Sequence, residues 1–193
     1  FTMIISRESL MTLETYAKQR PEFRKQVMQH KKNRSVHLGN HVTLLFEDEM
    51  TLRYQVQEML RIERIFEPEG IADELAAYNP LIPDGTNLKA TMLIEFADPA
   101  VRAEQLRRLK GVEARVRIRV AGNYVEPIAD EDLDRENEEK TSAVHFMRFQ
   151  FPEALRAQFA TAEVAIEVDH PEYQHRVVLG PEAHQALARD LED

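Results

Sequence analysis

Two side chains sit where ordinary packing would not place them. With Leu52 just before it, the stretch "RYQVQEMLRIERIFE", Arg53 to Glu67, carries Val56, Met59, Leu60, Ile62 and Phe66 at helical spacing, with Glu63 projecting among them. A buried, unpaired carboxylate costs several kcal/mol, so its charge must be matched or neutralised. Three readings are open. Glu63 is a paired structural charge, or a metal or ligand carboxylate, or an exposed group at a rolled helix or an interface. His145 in "VHFMRF" alternates with Met147, Phe149 and Phe151 and so also faces an apolar side. It is a candidate partner of Glu63, as are Arg34 and His37. With Glu58 just beyond the edge of the apolar stripe, Glu63 and His145 would offer oxygen and imidazole ligands to a divalent cation.

The segment "DHPEYQH" holds Asp169, His170, Glu172 and His175, a dense group of such ligands. It reads as a short connection between strands, in which Pro171 limits folding onto one ion, so a solvated turn is the preferred reading. Glu172 and His175 have the spacing of di-iron bundles, but those need the motif twice, on long helices. His37 and His41 flank a hairpin signal at Gly39-Asn40. A two-residue loop there pairs Leu38 with His41 and His37 with Val42, which directs the two imidazoles to opposite faces and disfavours a shared metal.

Residues 18–34 contain seven Lys/Arg and one Glu. Lys18, Arg20, Arg24, Lys25, Lys31, Lys32 and Arg34 could form a surface for an anion, RNA or an acidic partner. The alternative is a solvated helix with internal pairing, including to the acidic 130–139 stretch. Arg115, Arg117 and Arg119 line one face of a strand and are expected to pair with neighbouring carboxylates.

Composition narrows these choices. The chain has 193 residues and no cysteine, which excludes a disulfide scaffold, a thiolate nucleophile and a cysteine-held zinc or iron–sulfur site within it. Its formal charge of −9 weighs against nucleic-acid binding by the summed field. At 43% hydrophobic and 31% charged it suits one folded domain over residues 1–193 rather than a disordered chain. No apolar run reaches the roughly 18 residues of a membrane span, and a cytoplasmic location is expected. Phosphate-binding glycine loops, G-x-S-x-G and H-E-x-x-H are all absent from the sequence.

The elements that must position these residues follow from periodicity and caps. Ser6 or Ser9 caps a helix from Arg7, Pro21 breaks it, and a second helix runs over 21–31, forming an N-terminal arm (7–31). Asp48 caps a helix over 49–67. A shorter helix closes at Asn79-Pro80, and Asp98-Pro99 opens another that ends before Gly111. Residues 88–96, 112–120, 143–151, 163–168 and 176–179 read as strands, with a turn at Gly122-Asn123. The polar run 130–140 reads as a mobile acidic linker. Short hairpins and irregularly spaced helices predict an α+β fold with a mainly antiparallel sheet.

The stretches "YAKQRPEFRKQVMQHKKNRSVHLGNHVTLLFE", "TLRYQVQEMLRIERIFE", "ELAAYNPLIPDGTNLKATMLIE" and "DHPEYQ" together resemble an uncharacterised bacterial family, the domain of unknown function numbered 3501 in its series. The likeness runs from about Ile5 to the last helix. It implies genes lying beside a rubrerythrin-like protein and an iron–sulfur oxidoreductase, and so a part in peroxide or oxygen defence. It assigns no catalytic residue. The resulting expectation is a non-catalytic accessory or binding protein of a redox-stress system, with those neighbours as partners, a homodimer open through exposed strand edges, and no cofactor of its own. The alternatives are a metal-dependent enzyme built on Glu63 with His145 and Glu58, a separate metal site through His170 and His175 in the "DHPEYQH" segment, and an anion or RNA binder through residues 18–34.

Overall fold

In the computed structural model, which describes residues 4–131 and 141–192, alternating apolar side chains build two antiparallel sheets around one core. The strands are β1 (Ser35–Leu38), β2 (Val42–Phe46), β3 (Asn87–Ile94), β4 (Val116–Val120), β5 (Asn123–Val125), β6 (Pro127–Ala129), β7 (Val144–Gln150), β8 (Val164–His170) and β9 (Tyr173–Val178). One sheet has the order β1-β2-β3-β7-β6 and the other β5-β4-β8-β9. Their inward faces share a single cluster, with Leu44, Phe46, Met92 and Phe149 from the first sheet and Ile118, Val120 and Ile166 from the second. The helices are α1 (Leu13–Lys31), α2 (Glu49–Ile62), α3 (Pro68–Tyr78), α4 (Pro99–Arg108), α5 (Glu153–Gln158) and α6 (Pro181–Asp190). Among the described residues the fold is therefore α+β, as the sequence predicts, and no helix is long and apolar enough to cross a membrane.

Several boundaries differ from the sequence reading, each for a physical reason. The first helix does not break at Pro21: α1 is continuous, capped by Thr12 rather than Ser6 or Ser9. Pro21 and Ala17 both lie on the exposed side, where water satisfies the carbonyl that proline cannot bond, while Tyr16 and Val27 are buried on the other. The supposed arm is thereby packed onto α2.

The first hairpin has a three-residue loop, because Leu38 pairs with Val42 and His37 with Thr43. A two-residue loop would have set exposed His37 beside buried Val42. The observed register keeps Val36, Leu38, Val42 and Leu44 together in the core. Gly39, at φ 73°, carries this loop against the other sheet. A Cβ there would lie 2.5 Å from both His175 Nε2 and the Tyr173 hydroxyl, so glycine is required for the close approach as well as for the backbone angle.

Residues 112–114 form a 3-10 turn before β4 instead of extending it. The turn after β4 is Ala121-Gly122, since Val120 pairs with Asn123. The "DHPEYQH" segment is mostly strand: His170 pairs with Tyr173 across the two-residue turn Pro171-Glu172. The acidic run falls largely on 132–140, outside the described residues.

Candidate functional site

Helix α2 is capped by Asp48 in a reciprocal box with Thr51, but it ends at Ile62, five residues short of the predicted end. Arg64 N–H donates to the Arg61 carbonyl at 3.3 Å and Ile65 N–H to the Leu60 carbonyl at 2.9 Å, a Schellman motif with Arg64 at φ 53° where glycine is usual. Ile65 packs with Leu60 in the helical core, and this contact turns the chain. Glu63 is therefore the C-cap residue and is exposed; it is not inside the stripe. Ile62 and Phe66, expected in the stripe, are 62% and 70% exposed. Glu63→Gln is accordingly expected to change unfolding free energy by less than about 0.5 kcal/mol, checked by urea denaturation.

Glu58 is the carboxylate that the helices enclose. Arg20 grips it through two bonds of 2.9 and 2.8 Å, the Tyr16 hydroxyl donates at 2.8 Å, and Arg61 Nε donates at 3.2 Å. The Arg20 hydrogen bonds, with smaller help from Tyr16 and Arg61, hold its pKa down to about 2.

His145 is 2% exposed and faces the core as expected, but its neighbours are others. Its Nδ1–H donates to Asp130 Oδ2 at 2.6 Å, and its Nε2 lies 2.7 Å from the Thr141 hydroxyl, which bridges to Glu113 at 3.1 Å. The partners of Glu63, Glu58 and His145 are disjoint, so the three predicted ligands do not converge. His170 uses both nitrogens: Glu172 N–H donates to Nδ1 at 3.1 Å, and Nε2 faces the Lys110 carbonyl at 2.9 Å. His175 tilts against the Tyr173 ring at 4.5 Å. His37 bonds Thr43 and His41 stacks on Phe96. Among the described residues no three His, Asp or Glu side chains are grouped to hold a metal ion.

The basic run also divides. Arg20 belongs to Glu58, and Lys31 lies over the Tyr54 ring at 5.4 Å. Arg34 is 3% exposed: it donates to the carbonyls of Phe46 and Glu47, pairs closely with Asp190, and lies 3.5 Å from Asp48, which His30 also meets at 2.6 Å. Arg24, Lys25 and Lys32 remain on the exposed surface. Arg117 meets Glu126, Glu167 and Asp169 on its sheet face as expected, whereas Arg119 lies over the Tyr124 ring at 5.9 Å and Arg115 precedes β4.

Next to this cluster, Glu47 is a buried carboxylate bonded by Thr51 at 2.6 Å and Thr91 at 3.1 Å. Burial raises its pKa, the two hydroxyls opposing. A carboxyl whose folded pKa lies above its unfolded one destabilises the fold progressively as pH rises through the interval between the two. Glu47→Gln removes that loss while keeping a polar group for both threonines. The mutant is expected to melt higher than wild type at pH 8 and to lose this advantage towards pH 4, measured by calorimetry.

A cavity on the outer side of the larger sheet brings apolar and charged groups together. The last turn of α3 supplies Ala77 and Tyr78, and the following 3-10 turn (Asn79–Leu81) brings Pro80 and Leu81 over the sheet. Strand alternation points Lys89 of β3 and Phe146 and Arg148 of β7 outward, while Ala90, Met147 and Phe149 face the core. Asp130 and Glu131, after β6, complete a cavity of about 280 Å³. Asp130 adopts φ 50° and is held by three bonds: its N–H to the Phe146 carbonyl, its Oδ1 from Phe146 N–H, and its Oδ2 from His145. Arg148 grips Glu131 with two bonds of 3.0 Å each, which lowers the Glu131 pKa. Lys89 donates to the Pro80 carbonyl. Sequence reasoning missed Lys89, Glu131 and Arg148. The one legible signal was Arg148 as the lone charge in a strand apolar on both faces.

Comparison with known proteins places these features in context. The model of a family described as a protein of unknown function, DUF3501, matches residues 4–191. No curated protein matches the chain. A crystal structure of a novel protein of unknown function from Burkholderia pseudomallei K96243 is 50% identical; the match covers 98% of this chain and 100% of that one, with a TM-score of 0.94.

Proposed function

The chain belongs to the DUF3501 family of proteins of unknown function, and for it we propose a non-catalytic binding role with the cavity beside α3 as its ligand site. The observation that carries this reading is the lining. Tyr78, Leu81 and Phe146 offer an apolar floor, and Lys89 and Arg148 offer two converging polar groups. That mixture is characteristic of small-ligand sites, and the volume of about 280 Å³ is close to their lower limit of roughly 300 Å³. The non-catalytic part is supported by the side chains suited to acid–base work. Glu58, His145, His170 and Asp48 are committed to internal hydrogen bonds.

The test is a ligand-observed NMR screen of small amphipathic compounds against the full chain, repeated with Ala77→Trp. Ala77 lines the cavity from an exposed helix position, so tryptophan can fill the space without disturbing the core. Hits that bind the wild type and fail to bind Ala77→Trp are expected. A screen without hits, or hits indifferent to the substitution, would sink the reading.

The setting implied by the family resemblance belongs to the same proposal: an accessory to a rubrerythrin-like or iron–sulfur partner in peroxide defence. The exposure of Ile62 and Phe66 supports a protein contact at the end of α2. Co-purification of such a partner with the wild type, reduced by Phe66→Ser, is the expected result. Equal recovery with both would remove that contact.

A further inference from the structure

Resting on the reading of the cavity as a ligand site, we infer that its ligand is a small organic carboxylate, and that Glu131 occupies the carboxylate position in the free protein. Two independent observations lead there. The first is register. Lys89 and Arg148 are direct cross-strand partners on β3 and β7, and both side chains project into the cavity. Like charges directly opposite each other destabilise a sheet pair unless an anion lies between them. A protein that needed only a solvated sheet face would gain by alternating the signs.

The second observation is the anion that is present. The Arg148 Nε and Nη2 atoms each donate at 3.0 Å to a different oxygen of Glu131. This is the fork-on-carboxylate geometry in which arginine is most selective. The Glu131 side chain is 41% exposed and approaches from the rim, at the end of a short strand. A carboxylate arriving from solvent can take the same two bonds while its hydrocarbon body covers Phe146 and Leu81. Glu131, already partly in water, turns out at small desolvation cost. The site is thus self-competing: its own side chain sets a threshold that a ligand must exceed, and the apolar contacts unavailable to Glu131 provide the margin.

The probes are benzoate and hexanoate, with benzamide and hexanamide as uncharged controls of the same shape, titrated by NMR into the full chain. Each acid is expected to bind about tenfold or more tightly than its amide. Glu131→Gln should tighten the acids by a comparable factor and leave the amides unchanged. Arg148→Lys, which keeps the charge but not the fork, should remove most of the preference. Circular dichroism confirms that the variants fold. Amides binding as well as acids would overturn the carboxylate assignment while leaving the cavity a ligand site. Acids unaffected by Glu131→Gln would overturn the competition. No binding of any probe to wild type or Glu131→Gln would overturn both this inference and the reading on which it rests.

Discussion

Arg34→Met is expected to cost about 3–5 kcal/mol of unfolding free energy, because it removes one member of a buried ion pair and leaves the other desolvated. The guanidinium joins α1 to the end of β2, to the cap of α2 and to α6 through Phe46, Glu47, Asp48 and Asp190. Asp190 already has a pKa raised by burial, with Arg34 as the main opposing influence. Without Arg34 the carboxyl must protonate or pull α6 away from the sheet, and two backbone carbonyls lose a charged donor. Domains of this size are stable by roughly 5–15 kcal/mol, so the loss is a large fraction of the total. The double substitution Arg34→Met, Asp190→Leu separates the causes. Removing both charges should recover more than half of the loss, since the penalty is that of an orphaned carboxylate and not of the missing attraction. Guanidinium denaturation of the three proteins decides it. A single-mutant loss below about 1 kcal/mol would show that the pair is effectively hydrated.

Acid sensitivity centred on Glu58 is the second large expectation. Its carboxylate has a folded pKa of about 2 against an ordinary value of 4.5, with the Arg20 bonds as the leading cause. For a depressed carboxyl the stabilisation is complete above the unfolded pKa and is lost as pH falls through the folded one. The loss therefore develops between about pH 5 and pH 2. Allowing for solvent screening at this partly accessible group, Glu58 contributes about 1–2 kcal/mol in that window. Glu58→Gln should be less stable than wild type at pH 7 and nearly equal to it at pH 2. Glu58→Leu should lose more at pH 7, because the buried Tyr16 hydroxyl and Arg20 then lack an acceptor. The rising pKa values of Asp190 and Glu47 act in the opposite direction on acidification. The comparison must therefore be made as mutant minus wild type at each pH. A Glu58→Gln difference independent of pH would remove the Arg20–Glu58 pair as the source of acid sensitivity.

The amino-acid sequence by itself determined the α+β class, the strand alternation and the caps at Asp48 and Asp98, which accept the backbone bonds expected of them. These are properties of neighbouring residues: a period of two or of 3.6, or a side chain reaching a backbone N–H three positions on. Local rules also foretold that His145 faces the core and that Arg117 finds carboxylates. They failed where local and distant contacts compete. Glu63 left the apolar stripe because the packing of Ile65 on Leu60 ended the helix early, at an arginine in a backbone conformation that usually calls for glycine. Pro21 stayed inside a helix because the Ala17 carbonyl that it cannot bond faces water, while Tyr16 and Val27 are buried on the other side. The candidate site lay further beyond reach. Lys89 and Arg148 are separated by more than fifty residues, and only the antiparallel register of β3 on β7 makes them neighbours. That register is selected by how two inner faces interdigitate in the shared core, and a slip of either strand by one residue would send that strand's cation to the opposite face and part the pair. Tertiary structure therefore decided which charges share a cavity, because the free energy that aligns distant strands comes from apolar side chains on the other side of the sheet.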